Sequence, residues 1–339
     1  MQTAIIMEKK IFGWGDVSMN KKYLSYFLIT ACVCVALMAC KGQPQKKPET
    51  PQSPVAPKQS VEQNEPEITV FMHETNEKKT MKMEEYIAGV VAGEMKNDWP
   101  VEALAAQAII ARTFTVEAME TKGGVPDRGT QASTDIKEFQ AYNGKAVNDN
   151  VKKAVEMTRG MIMTYQGKPI KGWFHASAGG ITATAKEGLN FKEAEPPYIQ
   201  SVQSPDDLAP EDVRNWTINF PKENVIAAMA KQGKKVTDIS SIEIAQKGPS
   251  GRATVLMVNR ETEVSAPEIR VALDSTKLKS MLLDQITVSE ENVTFAGKGY
   301  GHGVGMSQWG AHRMAKDGKK PEEIVTHYFK GVKVEKRWN

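Results

Sequence analysis

Beyond residue 40 the 339-residue chain has no cysteine, because its three, Cys32, Cys34 and Cys40, all fall near the start. A disulfide, a thiolate metal site and a cysteine nucleophile are therefore excluded from the rest of the chain. Net charge is also scarce. It is +3 overall, and +1 once Lys9, Lys10, Lys21, Lys22, Glu8 and Asp16 of residues 1–40 are set aside. No basic surface is implied, which argues against nucleic acid as a partner. The five histidines are scattered, and His175, His302, His312 and His327 have no short metal-ligand spacing, so neither a metal nor another cofactor is expected. What remains is an ordinary globular balance, 40% hydrophobic and 25% charged, long enough for one large or two medium domains.

The one long apolar run lies at the start. From Met19 the chain reads MNKKYLSYFLITACVCVALMAC, a short basic segment, an apolar run and a small residue before Cys40. This resembles a bacterial lipoprotein signal, in which Cys40 takes the lipid after cleavage and tethers an exported protein to a membrane. Tyr23 to Ala39 is at the short end for spanning a bilayer. Residues 1–18 carry no such pattern, which makes Met19 a candidate start. Residues 41–67, rich in Pro, Gln, Lys and Glu, form a solvated tether between lipid and domain. The folded domain is expected over 68–339.

That domain opens with a strand-like run, Ile68 to Met72. Two helices follow, MEEYIAGVVAGEM and the run from Pro100 through EALAAQAIIARTFTVEAMET. In the second, Leu104, Ala108, Ala111 and Thr115 make the inward stripe, with Arg112 and Gln107 beside it. In the first, Ala88, Gly89, Ala92 and Gly93 invite another backbone to come close. Ile87, Val90, Val91 and Glu94 fall at i, i+3, i+4 and i+7, so a carboxylate stands where a core residue belongs. Burial there would raise its pKa and keep a proton available for donation. A buried ion pair with Arg112 is the structural alternative. Strand-like segments at GMIMTYQGKPIKGWFHA, SSIEIAQKG, RATVLMVNR and ETEVSAP alternate with helical patterns at Lys222–Gln232 and Ser307–Lys316. There is no βαβ period or repeat, which makes the fold class α+β.

Gly297 to Ala311 reads GKGYGHGVGMSQWGA. Its spacing is not that of a dinucleotide loop, while His302, Gln308 and Trp309 resemble a polar and aromatic wall for a sugar. Tyr142 and Tyr198, beside Gly or Pro, are further stacking candidates, whereas Trp173 fits a core position as well.

The helix pair, FQAYNG, FHASAGG, PPYIQSVQSPDD, STKLKS and the glycine-rich stretch occur in this order, and together they resemble the SpoIID/LytB family of peptidoglycan-acting proteins. The resemblance covers the chain from about Ile68 onward. It implies lytic transglycosylase activity, cleavage of the bond between N-acetylmuramic acid and N-acetylglucosamine with a 1,6-anhydro product. Glu94 maps onto the family's catalytic acid and Arg112 onto an essential arginine. Gln140, Tyr142, His175, Ser177, Tyr198, His302, Gln308 and Trp309 would line the glycan site. His175 is expected to bond Ser177 or substrate. Zinc-binding relatives carry Cys where this chain has Phe139 and Ala178, and a basic residue is often found where it has Gln200. The alternative implied by the resemblance is a non-catalytic enhancer of an N-acetylmuramoyl-L-alanine amidase, with peptidoglycan strands and that amidase as partners.

Overall fold

The computed structural model describes residues 64–339. The expected signal over 1–40, the lipid-bearing Cys40 and the tether as far as residue 63 lie outside the described residues. Strands β1 (Glu67–Met72) and β2 (Glu77–Lys82) make an antiparallel hairpin with Ile68 opposite Met81. Alternation along β1 buries Ile68 and Val70 completely. Just ahead of the strand, Glu65 already accepts the Glu84 amide at 2.7 Å and pairs with Arg159, so the tether's last residues belong to the fold.

Helices α1 (Met83–Glu94) and α2 (Val101–Lys122) form the expected pair, with Pro100 as the residue preceding α2 and Gly123, at φ 73°, ending it. The stripe Leu104, Ala108, Ala111 and Thr115 is fully buried, but burial continues around the helix through Ala103, Ala105, Ala106 and Arg112. A helix buried on nearly all sides sits inside the core, and α2 is the spine against which the neighbouring elements pack. Strand β3 (Ala132–Ser133) lies parallel to β1. Helix α3 (Asp149–Met157) is capped by the Asn148 side chain on the Val151 amide. Then come β4 (Met161–Tyr165), β5 (Lys168–Pro169), β6 (Phe174–His175) and α4 (Ala185–Leu189).

The middle of the chain builds a second apolar core. After α5 (Glu211–Arg214), whose Val213 still packs in the first core, its elements are β7 (Trp216–Pro221), α6 (Lys222–Ala230), β8 (Ile242–Lys247), β9 (Ala253–Val258), β10 (Thr262–Ser265), α7 (Ala266–Leu273), β11 (Leu283–Val288) and β12 (Asn292–Gly297). They form antiparallel sheets in the orders β10-β9-β8 and β11-β12-β7, around Phe220, Leu256, Ile269 and Phe295. ETEVSAP supplies a strand only as far as Ser265, since Ala266-Pro267 starts α7, where proline's missing N–H costs nothing.

The chain then returns to the first core. Strand β13 (Met306–Ser307) lies parallel to β6, helices α8 (Gln308–Lys316) and α9 (Pro321–Tyr328) follow, and β14 (Lys333–Lys336) pairs antiparallel with β4. Helices and short sheets intermix, and the fold is α+β.

Candidate active site

Glu94 is the last residue of α1. Like Ile87, Val90 and Val91 on the same face, it is fully buried. The helix stops there because Met95 is extended and its amide closes back on the Val91 carbonyl at 3.1 Å. Burial pushes the Glu94 carboxyl up to about 8, against the opposing effect of a hydrogen bond from the Ala141 amide. The negative end of the helix dipole also disfavours an anion at this terminus. Oε1 accepts from Ala141 N at 2.9 Å, whereas Oε2 is buried without a hydrogen-bond partner.

The segment that supplies that amide lies on the small face of α1. The Asn143 amide donates to Gly89 O at 2.8 Å. A Cβ on Gly93 would stand 2.9 Å from Tyr142 N and 3.0 Å from the Ala141 carbonyl carbon, so glycine is what admits the strap. Gln140 is fully buried and donates to Thr115 Oγ1 at 3.1 Å, while its own oxygen is unpartnered. Tyr142 is half-buried and stacks on Tyr86, ring centroids 5.9 Å apart.

The far end of the chain closes the other side. Gln308, first residue of α8, donates from Nε2 to the Glu94 carbonyl at 3.2 Å. Next to it Trp309 packs on Trp99 at 4.5 Å, and His312 stacks on Trp99 at 4.3 Å. Gln308 Oε1, Trp309 Nε1 and His312 Nδ1 are buried and unpartnered, as is Glu94 Oε2. Unpaired buried polar atoms are costly, and such atoms on Glu94 and on the helix α8 that Gln308 ties to it are what a ligand-binding site would contain.

The remaining candidates lie elsewhere. Arg112 does not meet Glu94. Its Nε and Nη2 bond both oxygens of Glu84, at 3.0 and 2.6 Å, and Nη1 reaches Met161 O at 2.9 Å. Glu84 Oε1 also accepts from Gly160 N and from Trp338 Nε1. Glu84 and Glu94 stand at opposite ends of α1, about 15 Å apart at 1.5 Å per residue, so the buried ion pair weighed as the structural alternative for Glu94 is not made, and Arg112 pairs with Glu84. His175 bonds Val304 O at 3.1 Å through Nδ1, not Ser177, and lies 5.6 Å from the His302 ring. Burial pushes His175 down to about 3, with Arg252 adding to it, and burial also lowers His302, so both rings are neutral. Ser177 is buried in the same layer, its backbone bonded to Tyr300. Gly303, at φ 85°, has no room for a Cβ beside the Arg252 guanidinium, so this part of the glycine-rich stretch serves close packing. Tyr198 accepts the Lys171 amide at 3.1 Å and packs against Tyr165. Among the described residues no three His, Cys, Asp or Glu side chains cluster as a metal would need. The structure thus gathers Glu94, Gln140, Tyr142, Gln308 and Trp309, and leaves Arg112, His175, Ser177, His302 and Tyr198 in other surroundings. The pattern reading missed Trp99 and His312. The i+3 spacing of His312 from Trp309 was its signal, but Trp99 reaches the cluster from a loop.

The Stage II sporulation protein (SpoIID) family model matches residues 72–165, and a domain of unknown function matches 200–305. The chain is 34% identical over 259 residues to an uncharacterised protein of Brachyspira hyodysenteriae, covering 75% of this chain and 67% of that one. It is 31% identical over 280 residues to Stage II sporulation protein D of Bacillus amyloliquefaciens, covering 79% and 78%. It is 28% identical over 295 residues to an amidase enhancer of Bacillus subtilis, covering 73% of this chain but 40% of that protein. This chain belongs to the SpoIID family.

Proposed function

We propose that the chain is an exported, cell-wall-acting lytic transglycosylase, held to a membrane through Cys40, that cleaves the MurNAc–GlcNAc bond of peptidoglycan with Glu94 as general acid and then base. The observation that carries this reading is the Glu94 carboxyl, fully buried and held up to about 8, with one oxygen on the Ala141 amide and the other unbonded. At neutral pH such a group is mostly protonated, and its free oxygen can give the proton to the glycosidic oxygen. As the C1–O bond breaks, the C6 hydroxyl of the same muramyl residue bonds to C1 and passes its proton to the Glu94 carboxylate. The acid is thereby restored, and no second carboxylate or water is consumed, in contrast to ordinary glycosidases. The Ala141 N–H holds the carboxyl in one orientation and stabilises it while it is charged. Because Glu94 is enclosed, glycan reaches it when the 140–142 strap or the start of α8 with Gln308 and Trp309 moves aside. Arg112, saturated by Glu84 and Met161, anchors α1 to α2 in this scheme and takes no part in the chemistry.

A second reading rests on the relative named as an amidase enhancer: binding peptidoglycan and stimulating an amidase without cleavage. Incubating the purified protein with glycan strands stripped of stem peptides separates the two. Release of 1,6-anhydro products, identified by mass, supports the transglycosylase. No such product, together with stimulation of an N-acetylmuramoyl-L-alanine amidase, supports the enhancer.

A further inference from the structure

A cavity of about 450 Å³, whose lining does not include Glu94, is walled by Phe114, Phe139, Trp173 and Phe191. The rings form two edge-to-face pairs. Phe139 backs Phe114 at 4.9 Å, and Trp173 backs Phe191 at 5.3 Å. Phe139 and Trp173 are nearly enclosed, whereas Phe114 and Phe191 are half-buried and offer ring surface to the cavity. Its polar lining includes Glu117, Asp127, Glu138 and Glu193 against Lys122 and Lys171. Glu117 is paired with Lys171 at 3.0 Å and Glu138 with Arg128 at 2.6 Å, so these charges are held in place.

The lining discriminates between classes of occupant. An anion would face more carboxylates than ammonium groups. A wholly apolar occupant would strip water from Glu117 and Lys171 with nothing in return. A neutral ring with an apolar face and hydroxyl edges satisfies both parts, its C–H face on Phe114 and Phe191 and its hydroxyls donating to carboxylates. We propose that this cavity is a saccharide subsite for an uncharged pyranose of the glycan strand. The assignment rests on the peptidoglycan reading above and extends it. Phe139 lines the cavity and Ala141, two residues on and so within about 7 Å along extended chain, holds Glu94. A sugar seated against Phe139 therefore bears on the segment that covers the carboxyl.

The test is calorimetric titration of the Glu94→Gln protein with peptide-free glycan strands, alone and combined with Phe191→Leu. Leucine fills the space and keeps the apolar contact with Trp173 but has no ring face. The proposal expects F191L to weaken glycan binding about tenfold, the scale on which a buried aromatic anchor matters, with the thermal midpoint nearly unchanged. Equal binding with and without F191L overturns it, as does failure of the glycan to bind at all. Should F191L fail to fold, Glu193→Lys on the exposed rim decides in the same way, with weakened binding supporting the subsite and unchanged binding refuting it. Free stem peptide that competes with glycan and is itself weakened by F191L would overturn the saccharide assignment. Loss of binding in F191L while the wild type releases no anhydro product would sink the cleavage reading and leave the subsite standing.

Discussion

Glu94 combines burial, a helix C-terminus and a single hydrogen bond, and each has a measurable consequence. Burial raises the group from 4.5 to about 8, so between those values the folded chain holds a proton that the unfolded chain has released. The stability cost of Glu94 is therefore absent below about pH 4.5, grows as pH rises and is complete above about pH 8. Glu94→Gln should be more stable than wild type at pH 8, by on the order of a few kcal/mol, and nearly equal to it at pH 4.5. Urea unfolding of both proteins at the two pH values checks this, and a difference that shrinks as pH rises would be the wrong sign. Arg112 presents the opposite case. Arg112→Met leaves Glu84 buried beside one amide and one indole N–H, a loss of about 3–5 kcal/mol by analogy with other broken buried pairs. Urea unfolding should register it. An Arg112→Lys protein of full stability that cleaves no glycan would instead place Arg112 in the chemistry. Glu94 was legible in the sequence because a helical period exposes a carboxylate in an apolar stripe. The partner of Arg112 was not, since Glu84 is 28 residues away and nothing local marks one acid of the first turn over the other.

At the scale of elements, the strap over α1 is the part on which the proposed chemistry most depends. Gly89 and Gly93 were legible as a surface of close approach, but what approaches was not. The contact pairs a helix with a loop about 50 residues later, where no periodicity carries information. Alanine at position 93 favours the helix by up to about 1 kcal/mol in isolation, yet its Cβ would press on backbone atoms of Ala141 and Tyr142. Gly93→Ala should thus lower stability, loosen the Ala141 bond, raise the Glu94 pKa further and reduce glycan cleavage. Thermal unfolding and a pH profile of cleavage would show it, and a stabilised, fully active variant would refute the strap's role. The glycine-rich stretch does not have the spacing of a dinucleotide loop. Its one histidine, His302, and His175 of the facing segment, both expected to line the glycan site, lie together as neutral, buried rings, because alternate glycines let the stretch press onto the 173–179 segment.

On the scale of the whole molecule, the chain leaves its first core after Val213, builds a second one from Trp216 and comes back to finish the first. The return brings β14 to β4, where Glu335 accepts from Thr164 171 residues away, and delivers Gln308 and Trp309 to Glu94. Mixed helices and strands were readable from the sequence, since each obeys local periodicity. The separate apolar core was not. Strands such as Trp216–Pro221 and Leu283–Val288 are short and largely exposed, so their alternation is faint. The expectation that residues 41–67 uncouple a lipid from the domain gives a prediction at this scale. Cys40→Ser should move the protein from the membrane fraction to the soluble one with its thermal midpoint unchanged, and continued membrane attachment would favour an uncleaved apolar anchor.

The central claim is that the Glu94 carboxyl moves the proton in glycan cleavage, and the most direct measurement is the rate of 1,6-anhydro product release by wild type and Glu94→Gln under identical conditions at pH 7. Glutamine retains the size of the side chain and its acceptor for the Ala141 amide but has no proton to give or take. The account predicts a rate lower by about 10²–10⁴-fold, with folding and glycan binding retained. Release at the wild-type rate by the glutamine variant would contradict it.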